Sequence, residues 1–340
     1  MAKIVRLHAF GGPEHLRIED LDVDAPGAGE VRIRVLAARV TRDHARYLNG
    51  SVFKGHGFEQ PSLPARIGYE AAGIVEAVGD GIESSWIGKR VSPFPNFDQE
   101  TYGLLGEQAI VPGSVLIEYP SILTPGQAAS FWVPYLTAYG LLVPIAHVRK
   151  DDIVVVLAAN SAVGQAAMQI AHDAGAFVIG TTRHRAKIRE ILSLGADHAI
   201  SLEDGDYPGQ IEQLTGGKGA RITLDPIGGS LIDDLAAGAA PGGIIVEYGV
   251  MSGEPAPLPI AHLIGKGLTI RGFTMNDILS SSEATVTAKQ YILDRLADGQ
   301  FSPRVTKVFP LEAVVDAFRS AMAGDTPGAT VVSCSQDVEI

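Results

Sequence analysis

The chain of 340 residues is nearly free of thiols, with Cys334 its one cysteine. A single thiol closes no intrachain disulfide, and a zinc centre built from several thiolates cannot be assembled from it. Long apolar runs are also missing. No stretch of about 18 uninterrupted apolar residues occurs, so no membrane-spanning helix is expected. The opening "MAKIVRLHAFGGPE" lacks the apolar segment of a secretory signal, and the expected compartment is the cytoplasm. Cations are in deficit, 27 Lys and Arg against 39 Asp and Glu, for a net charge of −12. That balance argues against a nucleic-acid partner, which needs clustered Lys and Arg for the phosphates. It leaves room for a small anionic cofactor in a local basic pocket.

What the sequence does contain changes texture along its length. The first 120 or so residues hold short strand signals broken by Gly and Pro, such as "VRIRVLAARV" (31–40) and "YEAAGIVEAVGDGI" (69–82); these read as a β-rich domain with few helices. From Lys150 strands and helices alternate. "DIVVVLAA" is followed by "AVGQAAMQIAHDAGA", then "FVIGTT", "RAKIREILSLGA", "HAISL", "YPGQIEQLTGG", "ARITLDPIGG", "LIDDLAAGAAPGG", "IIVEYGV" and "LTIRGFT". Such alternation predicts a doubly wound parallel sheet with helices on both faces. The overall class is α/β, and the final strand has the option of returning to the first domain.

Two of the three glycines of a dinucleotide-binding turn are also absent. The G-x-G-x-x-G pattern expected after the first strand reads Ala159-x-Ser161-x-x-Gly164. The third glycine, which serves close helix–strand packing, is kept. Ser161 brings a hydroxyl that donates to a phosphate oxygen, and Asn160 tolerates left-handed backbone. Asn160, Ser161, Ala162, Val163 and Gly164 therefore form a candidate phosphate cradle at a helix N-terminus. An ordinary βα turn that binds nothing is the competing reading.

The end of the next strand distinguishes the cofactors. An NAD site places an acid there for the ribose 2′-hydroxyl. Here the stretch is "GTTRHRAK", with no acid and three cations. Arg183 and Lys187, helped by the hydroxyl of Thr181 or Thr182, suit a 2′-phosphate, which selects NADP(H). A solvated first helical turn is the alternative, weakened because cations there oppose the helix dipole.

In this order, "GYEAAGIVEAVGDGI", "GKRV", "LTAYGLL", the Ala-Asn-Ser-Ala-Val-Gly turn, "LGADHAI", "DPIGG" and "IRGFT" resemble the medium-chain dehydrogenase/reductase superfamily over nearly the whole chain. The zinc-free branch of quinone oxidoreductases and enoyl reductases is the closest in look. The resemblance implies a GroES-like catalytic domain, 1–123 with 275–340, around a Rossmann NADP-binding domain, 124–274. It also implies NADPH-dependent reduction and a homodimer. At the three positions where zinc members carry catalytic ligands this chain has Val40, Tyr69 and Val133, so no metal is expected. The resemblance further implies that Thr137, the loop residues Gly249, Val250 and Met251, and Phe273 with Thr274 lie near the nicotinamide. A helix-interior hydroxyl bonded back to a carbonyl is the alternative for Thr137.

Without a metal, negative charge left on the acceptor after hydride transfer needs hydroxyl, amide or water donors. A conjugated acceptor spreads that charge, which favours a quinone or an enone. In related enoyl thioester reductases a tyrosine donates a proton from this part of the chain; the matching stretch "NGSVF" has Phe53 nearest that place. Tyr47 and Tyr69 are then the candidate donors, with Asp43 orienting backbone or a neighbour, and His44 and His56 read as surface residues. A packed amphipathic tyrosine is the other reading of Tyr47. Two apolar loops, Ser51–Pro64 and Pro93–Gly103, are candidate walls of a substrate cleft. The functional expectation is an NADPH-dependent reductase of a quinone or activated C=C bond. Enoyl thioester reduction and a non-catalytic NADPH-binding role, as sensor or structural protein, remain as alternatives.

Overall fold

The structure, a computed structural model, describes residues 1–50, 60–324 and 327–335. By internal packing the chain divides into two units, Met1–Val133 with Leu296–Ile340, and Pro134–Arg295. These limits fall inside the helices Trp132–Gly140 and Ser282–Ala297. A sequence reading that looks for boundaries in loops has no signal there.

In the first unit the long strand Glu30–Val40 is the spine. It pairs antiparallel with Ala71–Val78, Gln108–Pro112 and the last strand, Ala329–Ser333. The chain's C-terminal strand thus returns to the first unit. Val305–Pro310 lies parallel to it at the edge, and Arg90–Val91 closes the other side. Alternation along the spine sends Val31, Ile33 and Val35 into a fully buried core, each contributing about 1.5–3 kcal/mol through burial. A smaller sheet holds Ala2–Leu7, Leu16–Leu21 and Ala65–Arg66.

The second unit holds a six-stranded parallel sheet. Its strands are β1 (Ile153–Val156), β2 (Phe177–Thr182), β3 (His198–Ser201), β4 (Ala220–Asp225), β5 (Ala239–Glu247) and β6 (Thr269–Gly272), in the order 3-2-1-4-5-6. This is the doubly wound dinucleotide-binding order, whose chain reversal between β1 and β4 opens a crevice at the carboxyl ends of the strands. Val155, Leu157, Ile179, Ile200 and Ile245 build the core with Tyr207, Ile211 and Leu235 from the flanking helices. The fold is therefore α/β, a GroES-like β-rich unit and a Rossmann-like one.

Candidate cofactor and active site

The turn after β1 closes by backbone contacts that explain its residue choice. Ser161 is the N-cap of the helix Ala162–Asp173, and its Oγ accepts the Gly164 N–H at 3.0 Å. Its hydroxyl proton stays available. The N–H groups of Ala162 and Val163 have no intrahelical acceptor by position, and residues Asn160 to Val163 are only half-buried. Gln165 pins the turn by donating from Nε2 to the Asn160 carbonyl at 2.8 Å.

Gly164 is required. A Cβ there would lie 2.7 Å from the Ala158 carbonyl oxygen and 2.8 Å from the Ala159 Cα. The methyl of Ala159, in place of the first glycine, has its space cleared by the neighbouring strand: a Cβ at Gly180 would stand 3.0 Å from it. The left-handed residue is Ala158, with φ of 48°, and not Asn160, which corrects the sequence reading. The turn needs its positive φ just before the degraded motif begins.

The 2′-phosphate corner is more mixed than its sequence suggests. The end of β3 delivers two acids that lie eighteen or more residues away from "TTRHR". Glu203 accepts from the Arg185 backbone N–H at 2.6 Å and lies 3.1 Å from His184 Nδ1. Asp204 pairs with Arg185 Nε at 3.1 Å. The Arg185 N–H is the main cause holding the Glu203 carboxyl below its ordinary range. An acid is thus present after all, supplied across the sheet. Arg183 is different: its side chain is exposed and makes no ion pair among the described residues. Thr182 is buried beside it and its Oγ1 accepts from the His184 N–H at 3.4 Å, while Thr181 Oγ1 is buried and unpartnered among the described residues. Lys187 is half-buried in the 3₁₀ turn that follows. A half-buried helix N-terminus with spare N–H donors and, beside it, a guanidinium with no ion pair among the described residues are groups able to hold an anionic dinucleotide.

Two acids that sequence reasoning passed over sit at the carboxyl ends of β4 and β5. Asp225 and Glu247 are register partners. Asp225 is fully buried and accepts the Ile227 and Gly228 N–H groups at 2.6 and 3.2 Å. Burial, with the Asp225 charge second, pushes the Glu247 carboxyl up to about 8, so the two carboxyls hold one proton between them at neutral pH. The only sequence signal was an acid closing each of two apolar runs.

The nicotinamide-side candidates separate. Val250 and Met251 are exposed, 46% and 44%, and Met251 N–H donates to the Pro226 carbonyl at 3.1 Å. A Cβ on Gly249 would strike that same carbonyl. Thr137 is buried and makes no back-bond to a carbonyl among the described residues, which leaves its hydroxyl uncommitted. Phe273 turns inward: it is buried against Gly140, and its N–H donates to the Glu247 carbonyl. Only its backbone carbonyl is left to meet a ligand. Thr274 is exposed and its N–H donates to Asp277 at 2.9 Å.

In the first unit the acid–base candidates are reordered. Tyr47 donates its hydroxyl to the Arg66 carbonyl at 2.7 Å, and burial raises its pKa. Its proton is committed to backbone. Asp43 is exposed, and its carboxylate makes no hydrogen bond among the described residues; its charge acts on Tyr69 without a bond. His44 is the reverse of a surface residue, 1% exposed. Its ring stacks on Tyr69 with centroids 4.7 Å apart and meets Phe318 edge-on. Thr41 Oγ1 lies 3.1 Å from His44 Nδ1 and 2.9 Å from the Tyr69 hydroxyl. Tyr69 itself is partly exposed, and burial raises its phenol. Beneath it Arg39 and Glu70 form a buried ion pair at 2.5 Å, and Glu70 also accepts the Val133 N–H at 2.9 Å. Phe53 and His56 lie outside the described residues. The Pro93–Gly103 loop is packed at its start, where Phe94 is buried edge-on against Trp132, and exposed or half-buried over 96–102, where Asp98 caps the turn Gln99–Tyr102. Among the described residues no group of three His, Cys, Asp or Glu is arranged to hold a metal.

Comparison with known proteins adds the following. Residues 27–121 match the alcohol dehydrogenase GroES-like domain and residues 162–290 match the family described as zinc-binding dehydrogenase. The chain is 27% identical over 334 residues to a 2-haloacrylate reductase from Burkholderia sp, covering 96% of this chain and 97% of that one. A solved structure of an NAD-dependent alcohol dehydrogenase is 31% identical with a TM-score of 0.88, over 98% of this chain and 100% of that one. The quinone oxidoreductase of Pseudomonas syringae pv. Tomato DC3000 is 27% identical with a TM-score of 0.84, over the same shares.

Proposed function

This chain belongs to the medium-chain dehydrogenase/reductase superfamily, in its zinc-free branch of quinone oxidoreductases and enoyl reductases, and from that premise we propose that it is an NADPH-dependent reductase of a quinone or an enone-like C=C bond. It is an oxidoreductase of that superfamily; the cofactor form and the acceptor are what the proposal adds. The observation that carries it is Arg183, an exposed guanidinium with no ion pair among the described residues, at the end of β2, where a ribose 2′-phosphate would lie.

The turn Asn160–Gly164 would hold the pyrophosphate through the Ala162 and Val163 N–H groups and the Ser161 hydroxyl. Thr182, Arg183 and Lys187 would hold the 2′-phosphate. Thr137, the Gly249–Met251 loop, the Phe273 carbonyl and Thr274 would border the nicotinamide. When bound in its reduced form, that group supplies a hydride. Charge gathering on the acceptor's oxygen would be met by the Tyr69 hydroxyl, a neutral donor because its phenol is raised. Tyr47 is tied to a carbonyl, and the partly exposed Tyr69 hydroxyl supports reading Tyr69 as the donor. Val40, Tyr69 and Val133 give no metal ligand set, so the acceptor needs conjugation to spread its charge, as a quinone or an unsaturated carbonyl does. The 2-haloacrylate reductase among its relatives supports an electron-poor C=C substrate.

The partner expected in solution is a second copy. Edge strand β6 has one side unpaired among the described residues, and Leu258, Ile260 and Ile264, which precede it in sequence, are 62%, 52% and 80% exposed, the kind of apolar surface that association covers. The compartment in this reading is the cytoplasm, and the substrate is a small molecule, not a nucleic acid.

The test is nucleotide consumption with quinones, enones and enoyl thioesters, each with NADPH and NADH. NADPH should be preferred, and Arg183→Ala should weaken it about tenfold or more while leaving NADH nearly unchanged, the worth of a charge-assisted phosphate contact. Equal losses for the two nucleotides would remove Arg183 from the phosphate. Tight NADPH binding with every acceptor untouched would favour the non-catalytic alternative.

A further inference from the structure

We propose that Thr41 and His44 are positioning residues that aim the Tyr69 hydroxyl at the acceptor's oxygen. The inference rests on the donor role given to Tyr69 above. Its basis is the corner formed where the strand Glu30–Val40 runs into the short helix His44–Leu48.

The hydrogen bonds fix the direction of polarity. The Thr41 backbone N–H points at His44 Nδ1, at 3.1 Å. An N–H only donates, so Nδ1 is an acceptor and the imidazole proton sits on Nε2. The ring is therefore neutral, and it stays so: burial, with the Arg39 charge second, pushes its pKa down to about 3. His44 stores no transferable proton. Its Nε2, buried and unpartnered among the described residues, faces the cost of an unmade hydrogen bond, of order 1–3 kcal/mol. A ring held at that cost, stacked on Tyr69 with its plane tilted by 28°, fixes where the phenol sits.

Thr41 Oγ1 has two neighbours and one proton. Donated to His44 Nδ1, whose single lone pair it must share with the Thr41 N–H in a weaker three-centre bond, that proton leaves Oγ1 to accept from Tyr69, whose O–H then points inward. Donated to the Tyr69 oxygen, it turns the tyrosine's own O–H outward and polarises it. Arrival of an acceptor oxygen at Tyr69 favours the second arrangement. No net proton crosses the corner; the threonine hydroxyl rotates, and His44 keeps its bond to the Thr41 N–H in both states. The stack on His44 and the hydrogen bond with Thr41 together limit the phenol ring's swing, so the ring is placed before the acceptor binds and only hydroxyl protons turn.

The experiment uses the full-length protein with 13Cζ-labelled tyrosine, the Tyr69 resonance being identified by its loss in Tyr69→Phe. Thr41→Val keeps the shape and deletes the hydroxyl; Thr41→Ser restores it; His44→Phe keeps the stack and deletes Nδ1. The Tyr69 resonance should move in Thr41→Val and His44→Phe and return in Thr41→Ser. Single-turnover hydride transfer to an active enone or quinone should fall about fivefold in Thr41→Val, the worth of about one hydrogen bond, at unchanged NADPH affinity, and recover in Thr41→Ser. In the Tyr69→Phe background Thr41→Val should cost nothing more. An unmoved Tyr69 resonance in Thr41→Val, or an equal loss of rate in the Tyr69→Phe background, overturns the proposal. A wild-type rate for Tyr69→Phe instead sinks the donor reading itself, while a shifted resonance would still support the hydroxyl's placement by Thr41. The Thr41→Val and Thr41→Ser pair keeps the test decisive should His44→Phe fail to fold.

Discussion

The first unit buries Glu70 and the second half-buries Glu247, and the two are treated differently. Glu70 in the first unit has a cation, Arg39, at 2.5 Å and the Val133 N–H as a second partner. Glu247 in the second has no cation beside it among the described residues and faces another acid, Asp225, across the β4–β5 pair. Burial raises both carboxyls, and at Glu70 the Arg39 charge pulls the other way. The contrast shows two ways of keeping a carboxyl away from water: neutralise it with a counter-charge, or let it keep its proton. The largest test of that difference is Arg39→Met. It strips the counter-charge and leaves Glu70 buried alone, at a cost of about 3–5 kcal/mol in denaturant unfolding. Adding Glu70→Met should recover most of the loss, because a matched apolar pair is nearly neutral. A loss under about 1 kcal/mol for the single variant would mean that the ion pair is not what holds Glu70 in place.

A smaller effect separates the same regions by pH. His44, beside Arg39, has its folded pKa depressed to about 3, against about 6.5 unfolded. A depressed folded value means stability is complete above the unfolded pKa and drains as pH falls below it, because only the unfolded chain takes up the proton. The drain is about 1.4 kcal/mol per pH unit. His44→Asn should remove that slope between about pH 6.5 and pH 5. Glu247 runs in the opposite sense. Its folded carboxyl is raised to about 8, so its stabilising share is present below the ordinary carboxylate range and is lost as pH rises towards 8. Glu247→Gln keeps a donor for Asp225 and cannot ionise. Its melting temperature should exceed wild type by a few degrees at pH 8 and match it near pH 4, read by thermal scans across that window. A pH-independent difference would mean Glu247 is not protonated in the fold.

How much of this was legible in the sequence follows from how local each feature is. The parallel sheet was readable because each βα step is written in one short window: "DIVVVL" before a capped helix, "FVIGTT" before another. The capped turn proposed as a phosphate cradle is readable for the same reason, Ser161 and Gly164 lying three residues apart. The corner of Thr41, His44 and Tyr69 was only half readable. Tyr69 stood at a zinc-ligand position and was noticed; His44, one residue past Asp43, looked like a surface residue because nothing local announces a tertiary ring stack. Glu203 and Asp204 were missed at the phosphate corner because β3 brings them there across the sheet, eighteen or more residues after Arg185. Alignment within one strand pair, β4 with β5, hid the Asp225–Glu247 pair in the same way. Charges that neighbour in space but not in sequence carry no periodic signal.

The smallest test moves the comparison from buried charge to backbone. If the first unit carries its local cost in desolvated groups such as His44 and Glu70, the phosphate turn of the second carries part of its own at Ala158. That residue has φ of 48°, a left-handed conformation that costs an L-residue with a Cβ about 1–2 kcal/mol. Glycine adopts it freely but loses more chain entropy on folding, which offsets about 0.5–1 kcal/mol. The difference leaves Ala158→Gly stabilising by up to about 1 kcal/mol. The same substitution at Ala159, which has no such φ and whose methyl fills the space left by Gly180, should destabilise by a similar amount. Opposite signs at adjacent alanines, measured by denaturant midpoints at unchanged slope, would locate the strain at one residue. Equal signs would mean that the turn's cost lies elsewhere, and that the absence of the first glycine from the usual pattern is a matter of packing against β2 alone.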